Sequence, residues 1–300
     1  MKLCINELYE YRIMKRKYYV SMALAMLLSG CGNNDVPGND TDNGDRRITL
    51  QTSIAQEETV ARSPELDSNG SGNFSDGDVF ALQISSRAAS ECVNFDYTVA
   101  STQLYWKEVS FSAPTGKVNF AACYPKQDIR DGKFVFDLAS ASSKDLLLAY
   151  TPEIAMESET PVNLTFKHAM HRLVVNFAAA EGVDITGITT KCTAKSSCEV
   201  NLFDGTLDNT AARQSAFTAS GEHVSFTLVP QRVSDVVLEV SFGGYKETFA
   251  LERLVTGHEE LKGGMQLSVD LTVKNGYIEL GNVTIEGWEN QGTIEGSIIL

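Results

Sequence analysis

The sequence predicts an all-β protein, built as two β-sandwiches joined near His168. Short runs of β-branched, aromatic or alternating apolar residues recur from residue 48 to the end, separated by Gly, Pro, Asn and Asp. No long stretch carries the 3.6-residue apolar period of a helix. Hydrophobic residues make up 43% of the 300 positions, ample for packed cores and against wholesale disorder.

The first segment is not part of either sandwich. Lys15, Arg16 and Lys17 precede an uncharged apolar run over 20–28, which ends in Leu28-Ser29-Gly30-Cys31. That order is a secretory signal closing in a lipobox, where small residues admit a signal peptidase and Cys31 receives lipid. The run is shorter than the roughly 20 residues needed to cross a bilayer. Residues 1–31 are therefore expected to be the signal, with Met14 the true start. Asn, Asp, Gly and Pro dominate 32–47, the composition of a flexible tether.

Residues 48–54, ITLQTSI, alternate and form the first expected strand of an N-terminal domain over 48–168. A polar, Gly-rich stretch over 55–78 follows and contains Arg62-Ser63-Pro64, an exposed and cleavable loop. Further strands are expected at 79–85, 95–99, 103–111, 117–123, 133–138 and 162–166, with 140–149 left between helical turn and strand. The C-terminal domain, 169–300, is expected to hold strands at 173–177, 185–191, 198–203, 223–229, 236–242, 245–251, 266–273, 277–285 and 293–300. Spacing of this kind suits about seven strands per sandwich.

Little in the chain points to catalysis, a metal or a cofactor. There is no GxSxG elbow, and His258-Glu259-Glu260 is followed by Lys262 where a zinc-binding HExxH needs its second His. His168 and His171, three apart, would face opposite sides of one strand and are expected as core or interface residues. A net charge of −14 without a basic stretch argues against nucleic acid as a partner. Of six cysteines, Cys31 is the lipid site and Cys4 lies ahead of Met14. Cys192 and Cys198 could close a small loop in an oxidising compartment, with buried free thiols as the alternative for Cys92, Cys123, Cys192 and Cys198.

Several strings then occur in one order: the lipobox leader, Gly77-Asp78 before a strand, VNFAACYP at 118–125, DLLLA at 145–149, FKHAM at 166–170, Val229-Pro230-Gln231 and Gly287-Trp288. Together they resemble the fimbrillin family of Gram-negative anaerobes, whose members build type V pili. The resemblance implies two transthyretin-like sandwiches in tandem and export as an outer-membrane lipoprotein. It also implies a structural or adhesive pilus subunit without enzymatic activity. An arginine-specific protease on the cell surface would remove the first strand, and a strand from another subunit would fill the groove. Mapped here, cleavage falls between Arg62 and Ser63; Arg46 and Arg47 are alternatives that would leave the strand in place. Residues 277–300 are a candidate donor, or the chain's own last strands. A host or bacterial surface ligand is a further expected partner. The competing expectation is a non-polymerising surface lipoprotein that binds glycan or host protein.

Overall fold

The structure, a computed structural model, describes residues 46–55, 74–86, 90–113, 115–141, 143–255 and 257–287. Strands of the first half are β1 (Arg47–Ile48), β2 (Leu50–Ile54), β3 (Val79–Ser86), β4 (Glu91–Thr98), β5 (Leu104–Tyr105), β6 (Lys117–Tyr124), β7 (Lys133–Asp137), β8 (Leu147–Ala155) and β9 (Val162–His168). After a break at Ala169 and Met170 come β10 (His171–Ala179), β11 (Thr189–Lys195), β12 (Ser197–Asn201), β13 (Thr206–Asp208), β14 (Gln214–Ser220), β15 (His223–Leu228) and β16 (Gln231–Arg232). The last are β17 (Val237–Phe242), β18 (Tyr245–Ala250), β19 (Glu260–Leu261), β20 (Met265–Lys274) and β21 (Tyr277–Gly287). Helix among the described residues is confined to α1 (Leu251–Leu254) and the 3-10 turns Trp106–Glu108 and Val233–Asp235. The protein is all-β.

Six strands form the largest sheet, in the order β2-β9-β8-β6-β3-β4. Its centre is covered on both faces, so β3 (VFALQISS) and β6 (KVNFAACY) are buried along nearly their whole length. Toward its β2 edge one face is wet, and β9 (VNLTFKH) alternates buried and exposed at every residue. Phe80, Leu82, Ile84, Phe120, Leu164 and Phe166 build one core below this sheet. On the other face, Ala81, Ala121 and Cys123 pack with Phe134, Phe136 and Val200. That cover is the sheet β13-β12-β7, in which β7 pairs antiparallel with β12, from Lys133↔Asn201 to Asp137↔Ser197.

The C-terminal strands make two four-stranded sheets, β15-β10-β20-β21 and β14-β11-β17-β18. Their inner faces share one core, where Leu173, Val175 and Leu267 of the first meet Cys192, Leu238 and Val240 of the second. The pair β10–β20 is parallel, with Arg172↔Gln266 through Ala179↔Val273 in register.

Three expectations change. The strand foreseen over 103–111 stops at Tyr105, because Trp106 turns inward to 3% exposure and its indole N–H donates to the Ser158 carbonyl at 3.1 Å. Glu108 caps the turn, accepting from the Tyr105 N–H at 2.8 Å. The strand foreseen over 185–191 starts later, at Thr189, since Asp184 accepts from the Thr186 N–H and Gly187 turns the chain at φ +76°. The stretch 140–149 divides into turns at Asp137–Ala141 and strand from Leu147, with Lys144 Nζ donating to the Leu138 and Ala141 carbonyls.

Candidate assembly site

Residues 46–55 stitch the two layers of the N-terminal core together. β1 pairs antiparallel with β5 through Arg47↔Tyr105 and Ile48↔Leu104, and the Trp106 N–H donates to the Arg46 carbonyl at 2.9 Å. Past Thr49, β2 pairs parallel with β9, from Leu50↔Val162 to Ile54↔Phe166. The ladder is closed at both ends by Val162 N–H to Thr49 O at 2.8 Å and Ala55 N–H to Phe166 O at 2.7 Å. One parity faces inward throughout. Ile48 and Ile54 are buried at 4% and 3%, Leu50 packs against the same core, and Arg47, Gln51 and Ser53 face water.

Among the described residues strand β2 is the edge of its sheet, its backbone bonded on one side, to β9. Taking it away breaks no other ladder. It uncovers the β9 backbone edge and the sockets of Leu50 and Ile54, each contributing up to about 1.5–3 kcal/mol of burial. The arginines nearest the strand are tied into it. Arg46 Nη1 donates to the Glu157 carbonyl at 3.1 Å, and Arg47 lies in the β1 pairing. Arg62, Ser63, the lipid-site Cys31, Trp288 and the strand expected at 293–300 lie outside the described residues. Of the candidate donor 277–300, Tyr277–Gly287 is the chain's own strand, paired with β20 from Lys274↔Tyr277 to Met265↔Gly287.

The family model for fimbrillin-like proteins matches residues 71–288. The chain belongs to the fimbrillin-like family. Proteins of this family are components of cell-surface appendages. A structure of a candidate cell adhesion protein from Bacteroides uniformis superimposes with a TM-score of 0.59 at 13% identity, covering 81% of this chain and 98% of that one. A second candidate cell adhesion protein, from Bacteroides ovatus, gives 0.56 at 15% identity over 83% and 99%. At such identities the likeness is one of fold. No curated protein matches the chain.

The fimbrillin-like chain buries two of its four histidines. His168 ends β9 and His171 begins β10, so they sit on different strands rather than on opposite faces of one. Both are buried: His168 Nδ1 lies 2.7 Å from Asp145 Oδ2, and His171 Nδ1 lies 2.9 Å from the Lys262 carbonyl. Among the described residues no three His, Cys, Asp or Glu side chains gather as a metal site.

Cys92, Cys123, Cys192 and Cys198 are free thiols. Cys192 and Cys198 do not close the loop their spacing allowed, because Cys192 points into the C-terminal core and Cys198 into the core between β12 and the six-stranded sheet. Burial pushes Cys123, Cys192 and Cys198 up to about 12. At pH 8 a thiol with that pKa is thiolate to about one part in ten thousand. Half-buried Cys92, itself raised by burial, is the accessible one. Under native conditions iodoacetamide is expected to label Cys92 ahead of the other three, and all four in urea, as read by peptide mass mapping. Rapid native labelling of Cys192 would contradict the packing.

Proposed function

We propose that the chain is a structural or adhesive subunit of a fimbrium, exported as a precursor acylated at Cys31, with no catalytic activity. Cleavage between Arg62 and Ser63 releases the segment carrying β1 and β2, and a strand from another subunit takes the place of β2 along β9 and of β1 along β5. The edge position of β2 carries this reading: one ladder holds it, and its apolar side chains fill a groove that is costly to leave empty. Cleavage at Arg46 or Arg47 fits less well, since both lie in paired backbone and neither cut frees β2.

The donor in this scheme is the segment beyond Gly287. Ile294, Ile298 and Leu300 share one strand parity, as Ile48, Leu50 and Ile54 do in the strand they would replace. The division into domains 48–168 and 169–300 belongs to the same reading. It is supported by one apolar core drawn from Ile48 to Phe166 and another from Leu173 to Ile278.

The N-terminal residue of the protein taken from the cell surface tests the scheme by mass spectrometry. A start at Ser63 is expected in filaments. Arg62→Ala is expected to leave monomeric chain that begins at acylated Cys31 and retains β2. Normal filaments from that variant would sink the assigned cleavage. An acylated, intact monomer from the wild type would favour the second reading, a tethered ligand-binding lipoprotein, for which the chain has a cleft.

A further inference from the structure

The outer face of β8 and β9 presents Leu148, Tyr150, Thr165 and Lys167, the alternates of core residues Leu147, Ala149, Leu164 and Phe166. The β13-β12-β7 sheet covers the neighbouring strands β3 and β6 on this side, and beside it a cleft of about 930 Å³ opens. Leu202, Leu207 and Asn209 form its opposite wall, and segments around Gln231 and Lys262 its floor. Its size lies in the range of small-ligand sites.

The cleft reverses the charge of the molecule. The chain carries 39 acidic and 25 basic residues, yet among the described residues Lys167, Lys195, Arg232 and Lys262 line the cleft against Asp235 and Glu260. Asp235 pairs with Lys195 at 3.1 Å, and Glu260 lies across from Arg232 in the β16–β19 backbone register. Lys167 and Lys262 are exposed, and no carboxylate of the described residues forms an ion pair with either. The walls are held rigidly around them. Buried Gln231 accepts from the Lys195 N–H at 2.9 Å and donates to the Val229 carbonyl at 2.9 Å, and Asn209 donates to the Pro230 carbonyl. Preorganisation of this kind lowers the ordering cost of binding.

We infer that this cleft binds an acidic oligosaccharide, with sugar carboxylates on Lys167 and Lys262 and a pyranose face against the Tyr150 ring. Tyr150 is 38% exposed, an aromatic surface that would otherwise be left to water. Thr165, Asn209 and Thr210 supply donors and acceptors for hydroxyl groups. An acidic peptide is less well served. Strand β8 is already paired with β6 and β9, and β9 with β8 and β2, so the wall offers no open backbone edge for a peptide to join. The site stands apart from strand exchange, because it uses the face of β9 and not its edge.

The test is calorimetric titration of the full chain with tetragalacturonate, sialyllactose, neutral maltotetraose and tetraglutamate. At least one acidic sugar is expected to bind, with affinity falling as salt is raised to about 0.15 M. Maltotetraose and tetraglutamate are expected to bind about tenfold more weakly or not at all. Joint replacement Lys167→Gln and Lys262→Gln is expected to weaken the acidic sugar about tenfold or more, and Tyr150→Ala to weaken it further. All three side chains are exposed, so unfolding is not at issue, and a Lys117→Gln control outside the cleft lining should change nothing. Binding of neither acidic sugar, equal binding by the charge variant, or tighter binding of tetraglutamate would each overturn the assignment.

Discussion

Replacing Phe166 by Ala is expected to cost about 3–5 kcal/mol of stability, the range for emptying a fully enclosed aromatic site. Phe166 is fully buried in the middle of β9, where its backbone neighbours are Ile54 of β2 and Ala149 of β8. Its ring meets Phe74 edge-on at 4.7 Å and Phe80 at 5.2 Å. Such pairs are worth about 0.5–1.5 kcal/mol beyond the area they bury. The vacated volume lies beneath the edge strand, so the variant is also expected to speed amide exchange at Val162 and Ala55, whose N–H groups close the β2 ladder. Denaturant midpoints at unchanged slope measure the first effect and hydrogen exchange the second. Val135→Ala serves as the contrast: its side chain is 66% exposed and its loss should be nearly neutral. A cost for Phe166→Ala below about 1.5 kcal/mol would mean that the ring is not enclosed as described.

Acidification is expected to destabilise the chain through His171 before the carboxylates titrate. The ring is 1% exposed; Nδ1–H donates to the Lys262 carbonyl and Nε2 has no partner among the described residues. Protonation would place a charge there with one acceptor for two N–H groups, and burial lowers the folded pKa to about 4. The unfolded chain, with a His pKa of about 6.5, therefore takes up the proton first. The stabilising contribution is complete above about pH 6.5 and is lost as pH falls toward about 4, in total about 3 kcal/mol. Urea unfolding of the wild type at pH 7 and pH 4.5 should show most of this loss, and His171→Gln, which keeps a donor for Lys262 O, should show less. Equal pH dependence in the two proteins would remove His171 as its source.

Much of the strand inventory could be read from local pattern. β3, β6, β7, β9, β10, β17 and β20 fall within a few residues of where alternation and β-branched content put them. The misses have local causes. β14 (QSAFTAS) was not anticipated because it is a half-exposed edge strand of small and polar residues and shows no apolar period. Trp106 reads as a strand residue until its indole is seen to need the Ser158 carbonyl. The sequence placed His168 and His171 on one strand, since nothing in FKHAMH announces the break at Ala169 and Met170.

For the candidate assembly site, the inward parity of Ile48, Leu50 and Ile54 was legible in ITLQTSI. That the strand lies at an edge was not, because an edge is defined by who the neighbours are. The cleft was invisible for the same reason: Lys167 and Lys262 are 95 positions apart (262 − 167), and no spacing rule joins them.

The sequence alone determined the all-β class, the face turned inward by strands such as β9 and β10, and the order of strings that resembles the fimbrillins. These are local properties, set by side-chain period and turn chemistry. Tertiary structure decided which strands pair: β2 with β9 in parallel, and β7 with β12 across the Ala169–Met170 break. Backbone ladders are made of the same N–H and C=O groups at every residue, so they carry no label for their partner. Partner choice follows from the joint burial of many side chains at once. The β2 edge and the cationic cleft are products of that choice.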